Sequence, residues 1–141
     1  MSLAVERVID PAAAARALRA VAGEAREPDQ LTRILPRDDG HLLAAFDGGE
    51  AVGYAYGYEL PRLKRPGTSL LLYGIEVVPE RRRQGIGRAL LDAFATLTAE
   101  RGCDSHWLLT NASNEPAMRL YAAAGAERPQ PDDVLFSFPS R

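Results

Sequence analysis

With Cys103 as its one cysteine, the chain can form no internal disulfide, and no cysteine–histidine cluster shows metal-ligand spacing. The fold must therefore rest on its core, and a reducing cytoplasm is the expected setting. Histidine is almost as scarce. His41 and His106 lie far apart in sequence, so each is expected as a strand or surface residue, and no metal is expected. Lysine is rarer still: of the 17 basic residues all but Lys64 are arginine, the side chain that grips phosphate through a two-pronged hydrogen bond. No apolar run approaches the roughly 18 residues of a membrane-spanning helix, and the first residues lack the basic-then-apolar succession of a secretory leader. A formal charge of −2 supplies no basic excess for nucleic acid. What is present is 141 residues, 46% hydrophobic and 26% charged, which suits one domain (1–141) with a real core.

The pattern along the chain predicts an α+β fold. A short strand is expected over Ala4–Ile9. Asp10 then offers an N-cap and Pro11 a first-turn residue for an alanine-rich helix to about Val21. Residues 23–39, interrupted by Pro28 and Pro36, suggest a short helix between loops. His41–Phe46 and Ala51–Glu59 read as strands joined by the hairpin signal Asp47-Gly48-Gly49-Glu50. In the second of them Tyr54, Tyr56 and Tyr58 alternate onto one face, with Gly53, Ala55 and Gly57 opposite. Leu70–Val78 is an apolar strand fit for the middle of a sheet. Helical periodicity follows from Ile86 to Glu100, carried by Ile86, Ala89, Leu90, Ala93, Phe94 and Leu97. Ser105–Thr110 is a strand, Asn114–Ala124 a helix with an Asn cap and Pro116 in its first turn, and Val134–Phe138 a final strand that could pair across a homodimer. The intervening helix implies a parallel pair within an otherwise antiparallel sheet.

The chemistry is concentrated in Val77-Val78-Pro79-Glu80-Arg81-Arg82-Arg83-Gln84-Gly85-Ile86-Gly87-Arg88-Ala89-Leu90. A strand runs into an arginine-rich turn, then glycines, then a helix. Glycine lets backbone approach a ligand closely, and the unsatisfied first-turn amides of the helix favour an anion such as a pyrophosphate. A dinucleotide fingerprint would require a third glycine where Leu90 stands, and a P-loop would require Gly-Lys-Ser/Thr. A helix start behind a solvated arginine run remains the plain alternative.

The spacing Arg82-x-x-Gly85-x-Gly87 after Val77-x-Pro79 resembles motif A of the GNAT superfamily of N-acetyltransferases. Asn111–Gly125, reading N-x-x-N-x-P-A-x-x-L-Y-x-x-x-G, is similar to the family's following helix. Farther upstream, Leu43-Ala44-Ala45-Phe46-Asp47 and the stretch from Leu60-Pro61 to Ile86 resemble the type I aminoglycoside 3-N-acetyltransferases. The resemblance implies the GNAT fold: a mostly antiparallel twisted sheet of six to seven strands with a splayed parallel central pair and about four helices. It implies acetyl-CoA as co-substrate, a small-molecule amine as acceptor, and direct attack of the neutral amine on the thioester. Ile75, Val77 and Val78 are then expected on the pantetheine arm. Arg82, Arg83, Gln84, Gly85, Gly87 and Arg88 are expected at the pyrophosphate, and Asn114, Ala117 and Tyr121 along the coenzyme. Cys103, with no basic partner in sequence, is expected to pack rather than react.

The mechanism that the resemblance implies needs an acid and a base. Tyr121 would protonate the departing thiolate, its alternative being a packed helix aromatic. Glu76, the one charge between Leu70 and Val78, is the candidate base, because a carboxylate in such a run is unfavourable unless paired or facing a cleft. Its alternative is a strand-end carboxylate in solvent or paired with arginine. The type I enzymes place an aspartate directly after the tyrosine that matches Tyr73; here that position is Gly74, and Glu76 stands where they carry a small residue. Tyr58, Tyr73 and Glu76 are the expected acceptor-side residues, although the strand tyrosines could equally form a ladder over the core. Acetylation of a protein N-terminus or lysine, or non-catalytic sensing of acetyl-CoA, are the competing functions.

Overall fold

A computed structural model describes residues 2–33, 35 and 37–140; Pro36 lies outside them. Strand β1 (Leu3–Arg7) leads into helix α1 (Pro11–Ala22). The Asp10 carboxylate caps that helix by accepting the Ala13 amide at 2.9 Å, and Gly23 ends it in the left-handed region at φ 78°. The proline-broken stretch yields one turn of helix, α2 (Pro28–Leu31). Strands β2 (Gly40–Asp47) and β3 (Glu50–Pro61) follow. They turn on Gly48 and Gly49 at φ 59° and 86°, the pair of positive angles that a two-residue hairpin requires. Next come β4 (Thr68–Val77), a short 3₁₀ turn (Pro79–Arg81), α3 (Ile86–Glu100), β5 (Ser105–Leu108) and α4 (Glu115–Ala123).

The strands form one open sheet in the order β1-β2-β3-β4-β5. Its first three pairings are antiparallel and β4–β5 is parallel, as a strand–helix–strand crossover dictates. Among the described residues the sheet has five strands, fewer than the six to seven expected. The segment 134–138 is extended, exposed and unpaired among the described residues. β-branched and aromatic residues lend it β propensity, but a strand exists only where a ladder partner meets it. Pro129, Pro131 and Pro139 bracket it and withhold donors. Among the described residues no helix is long and apolar enough to cross a membrane.

Each face of the sheet buries its own core. On one face α1 and α2 pack Ala14, Ala17, Val21 and Leu31 against Leu42, Ala44 and Tyr54. On the other, α3 packs Ile86, Leu90, Phe94 and Leu97 against Val52, Ala55, Leu70 and Leu72. The Gly53-Ala55-Gly57 side of β3 makes that second contact close. A Cβ on Gly53 would sit 3.1 Å from Ile86 Cγ2 and from Leu90 Cδ1, and one on Gly57 2.9 Å from Phe94 Cζ. Small residues here let the helix that carries the glycine loop sit directly on the sheet.

His41 is a strand residue, as expected, but a buried one, with Nε2 2.6 Å from Glu59 Oε2. Arg101, just past α3, donates to the same carboxylate at 2.8 Å and to the Asp38 carbonyl at 2.8 Å. Burial holds the His41 pKa below its ordinary value; the Glu59 hydrogen bond pulls the other way, and Arg7 and Arg101 add to the lowering. The neutral ring donates from Nε2 and leaves Nδ1 buried without a partner among the described residues. Protonation would place an unsatisfied N–H there, a further penalty. Because the unfolded histidine titrates near 6.5 and the folded one lower, the unfolded state binds more protons in between, and stability rises with pH across that window. The urea midpoint should therefore fall as pH drops below about 6.5, and His41→Gln should remove that part of the slope.

Candidate active site

Strand β5 follows β4 only from Ser69 to Leu72. At that point β4 breaks register with β3: Tyr56 pairs with Gly74 and Gly57 with Leu72. Tyr73 is left as the extra residue of a bulge, which bends and twists the strand. Gly57 permits this, since a Cβ there would come within 2.2 Å of the Leu71 carbonyl oxygen. The two parallel strands separate beyond the bulge. Between them opens a cleft of about 200 Å³, with Leu72, Tyr73, Gly74 and Ile75 on one wall and Leu108, Leu109, Thr110, Asn114 and Tyr121 on the other.

The β4 wall offers backbone. The Val78 amide bonds the Val52 carbonyl at 3.0 Å. Since bonding alternates along an antiparallel strand, the amides and carbonyls of Val77 and Ile75 point away from β3, into the gap that β5 has left. That places Ile75 and Val77 where a ligand could extend the sheet. Val78 has its amide engaged and its carbonyl accepting from Arg81 N at 3.0 Å, so it is turned from the cleft.

The cradle lies where β4 ends. Asp10 caps α1 and Asn114 caps α4 with their side chains, whereas α3 has no side-chain cap. Its first backbone bond is from Ala89 N to Gly85 O, which leaves the amides of Ile86, Gly87 and Arg88 directed outward with no partner among the described residues. Gly85 sits at φ 84° with nothing within 4 Å of a would-be Cβ, and Arg83 at φ 62° is the one non-glycine with positive φ among the described residues. Arg81 holds this loop from behind by donating to Asp47 of the β2–β3 hairpin and, at 3.1 Å, to Gln84 Oε1.

The other arginines divide. Arg82 and Arg83 are exposed at the loop, with Arg82 Nε 3.4 Å from the Val77 carbonyl. Arg88 is turned elsewhere: it pairs with Asp92 at 3.1 Å and donates to the Ala123 carbonyl at 3.1 Å, tying α3 to the end of α4. Its amide, not its side chain, belongs to the cradle. Gly87 is also needed for packing, because a Cβ would meet Leu120 Cδ2 at 3.0 Å.

On α4, the Asn114 carboxamide accepts the Ala117 amide at 3.3 Å. Asn114 reaches the cleft; Ala117 is not among the residues lining it. Tyr121 faces the cleft, and its hydroxyl bonds no other described residue. Burial raises its pKa, so it stays protonated. Burial likewise raises the pKa of the Cys103 thiol, which keeps it un-ionised. Among the described residues no group of three histidine, cysteine, aspartate or glutamate side chains could hold a metal.

The opposite face of β4 carries aromatic rings and one carboxylate. Tyr56 contacts Tyr54, Tyr58 and Tyr73 at centroid separations of 6.1, 6.3 and 5.7 Å. Tyr73, at the bulge, is 65% exposed and borders both faces. The Tyr54 hydroxyl donates to Glu76 Oε2 at 2.7 Å, and no arginine or lysine pairs with Glu76 among the described residues. Tyr56 lies over Gly74, where an added Cβ would be 2.5 Å from the ring. Tyr58 and Tyr73 meet edge to face at 6.1 Å, whereas Glu76 is joined to Tyr54, farther along the same face. The Tyr54–Glu76 bond and the Asp47–Arg81 brace escaped the sequence reading. The tyrosine alternation was visible, but opposing Tyr54 to Glu76 depends on a register that the bulge resets.

Comparison with known proteins agrees with this geometry. The acetyltransferase (GNAT) family model matches residues 12–126. A mycothiol acetyltransferase of Clavibacter sepedonicus is 39% identical over 88 residues, 62% of this chain and 27% of that protein. A [ribosomal protein bS18]-alanine N-acetyltransferase of Escherichia coli (strain K12) is 43% identical over 54 residues, 38% and 36% of the two chains. These matches thus span only about a quarter to a third of the curated relatives. The crystal structure of an aminoglycoside acetyltransferase from an uncultured soil metagenomic sample superposes over 100% of both chains, with a TM-score of 0.86 and 27% identity. With the family model covering most of its length, the chain is a member of the acetyltransferase (GNAT) family.

Proposed function

We propose that the chain, acting as a single domain over 1–141, transfers the acetyl group of acetyl-CoA to a primary amine of a small molecule within a ternary complex. The observation that carries this reading is the uncapped start of α3 beside a cleft with backbone turned from β3 on one wall and the Tyr121 hydroxyl on the other. The amides of Arg83, Gln84, Gly85, Ile86, Gly87 and Arg88 would hold the pyrophosphate, with Arg82 and Arg83 near the nucleotide phosphates. Ile75 and Val77 would hold the pantetheine arm, and the Val77 amide would polarise the thioester carbonyl.

The amine would approach from the tyrosine face. Glu76 takes a proton from the ammonium, and the neutral nitrogen bonds to the acetyl carbon. The C–S bond breaks with its electron pair on sulfur, which receives the Tyr121 proton. The proton shed by the new amide nitrogen restores the tyrosine through solvent. Aromatic faces and a carboxylate with no cationic partner among the described residues suit a cationic acceptor. The family match, the likeness to an aminoglycoside acetyltransferase and the resemblance to the type I 3-N enzymes together support an aminoglycoside. Tyr56 packed over Gly74 argues for an acceptor contact unlike theirs. A homodimer stays within this proposal because Val134, Leu135, Phe136 and Phe138 are all exposed. A cytoplasmic setting stays within it because Cys103 is free.

Thiol release from acetyl-CoA, measured against aminoglycosides, polyamines, amino acids and N-terminal peptides, tests the proposal. Turnover with a small amine is the expected result. Turnover on peptides alone would move the assignment to a protein N-acetyltransferase. Coenzyme binding with no turnover on any amine would make the chain a sensor.

A further inference from the structure

We infer that Tyr54 is a positioning residue for the reaction: its hydroxyl holds the Glu76 carboxylate in the orientation in which it accepts the amine proton. This rests on the reading of Glu76 as the base. Three observations support it. Tyr54 is 9% exposed, the most buried of the four tyrosines on this face, and lies in the α1 core cluster, so its ring is fixed by packing. The 2.7 Å bond to Oε2 is the one hydrogen bond to that carboxylate among the described residues, so Oε1 keeps its acceptor capacity. Register supports the pair as well, since Tyr54 stands directly opposite Glu76 in the β3–β4 ladder.

The hydroxyl is suited to a donor's task. Burial first, and then the Glu76 contact, raises its pKa well above that of a free tyrosine, so it remains an O–H throughout the working range. The other titratable groups facing this pair are Tyr56 on β3 and Glu24 beyond the end of α1. No cation is paired with either carboxylate among the described residues, so a hydroxyl does what an arginine does at many buried carboxylates without cancelling the negative charge. A cationic acceptor therefore meets an undiminished carboxylate.

Tyr54→Phe keeps the ring and its packing but removes the donor. With the best amine of the panel, kcat should fall about tenfold while the amine KM and the acetyl-CoA affinity stay within about twofold. Tyr56→Phe, which removes a hydroxyl with no bond to Glu76, should not show that selective loss of kcat. In the Glu76→Gln background, adding Tyr54→Phe should lower kcat no further, because the hydroxyl acts through the carboxylate. If Glu76→Gln lowers kcat and Tyr54→Phe either leaves it unchanged or has the same effect in both backgrounds, the base stands and the positioning role is overturned. If Glu76→Gln leaves kcat intact, or no amine is acetylated, the base reading fails and the inference falls with it.

Discussion

Gly85→Trp should weaken coenzyme A binding at least a hundredfold while leaving the fold standing. Gly85 is in the left-handed region at φ 84°, and nothing lies within 4 Å of where a Cβ would be. The substitution therefore meets backbone strain of roughly 1–2 kcal/mol and no clash within the protein. The indole would project over the unsatisfied amides at the start of α3. Hydrogen bonds to a charged group contribute about 1.5–3 kcal/mol each, so losing two of them exceeds the roughly 2.8 kcal/mol that a hundredfold requires. Gly102→Trp is the matched control: it too lies in open space at positive φ, 70°, but at the far end of the same helix. Both variants should lose a similar few degrees of melting temperature, and calorimetric titration should show lost affinity only for Gly85→Trp. An unchanged Kd in Gly85→Trp would remove the pyrophosphate from this loop.

That prediction stands on a part of the protein that was legible in sequence. Strand, arginines, glycines and helix follow one another within 14 residues, and each has a local cause: Gly85 its φ, α3 its periodicity from Ile86 to Glu100, α4 its Asn114 cap and Pro116. Local causes leave local signatures. What could not be read depends on pairs distant along the chain. Arg88 looked like a phosphate ligand because it neighbours Gly87, yet its guanidinium is held by the Ala123 carbonyl, and nothing near position 88 announces that partner. Val78 looked equivalent to Val77 until the ladder showed which of the two faces β3. Glu76 was conspicuous as a lone charge in an apolar strand, but its donor lies 22 residues earlier, across a bulge. The absent strand at 134–138 is the same lesson reversed, a local pattern without the distant partner that would make it structure.

Tyr121→Phe should lower kcat by about two orders of magnitude, near the lower end of what a positioned acid contributes, and leave the Kd for acetyl-CoA within about twofold. The ring is half-buried in the α3-side core beside Leu120 and Ala124, and phenylalanine keeps that contact, so the coenzyme would lose at most one hydrogen bond in a wet cleft. The hydroxyl is different in kind. It lies in the cleft without a partner among the described residues, and burial keeps it protonated, so the wild-type rate should show no alkaline decline from Tyr121 near neutrality. A thiolate leaving without a proton is the poorer leaving group, and the deficit of Tyr121→Phe should shrink as acyl donors with more acidic thiols are used. Aryl thioacetates, whose thiolates need no proton to depart, supply that comparison provided they occupy the same cleft, which competition by coenzyme A would show. A constant deficit across donors would make Tyr121 a binding residue and move the acid to solvent. An undiminished kcat with acetyl-CoA would remove it from the reaction altogether, leaving the α4 wall of the cleft to hold the coenzyme and nothing more.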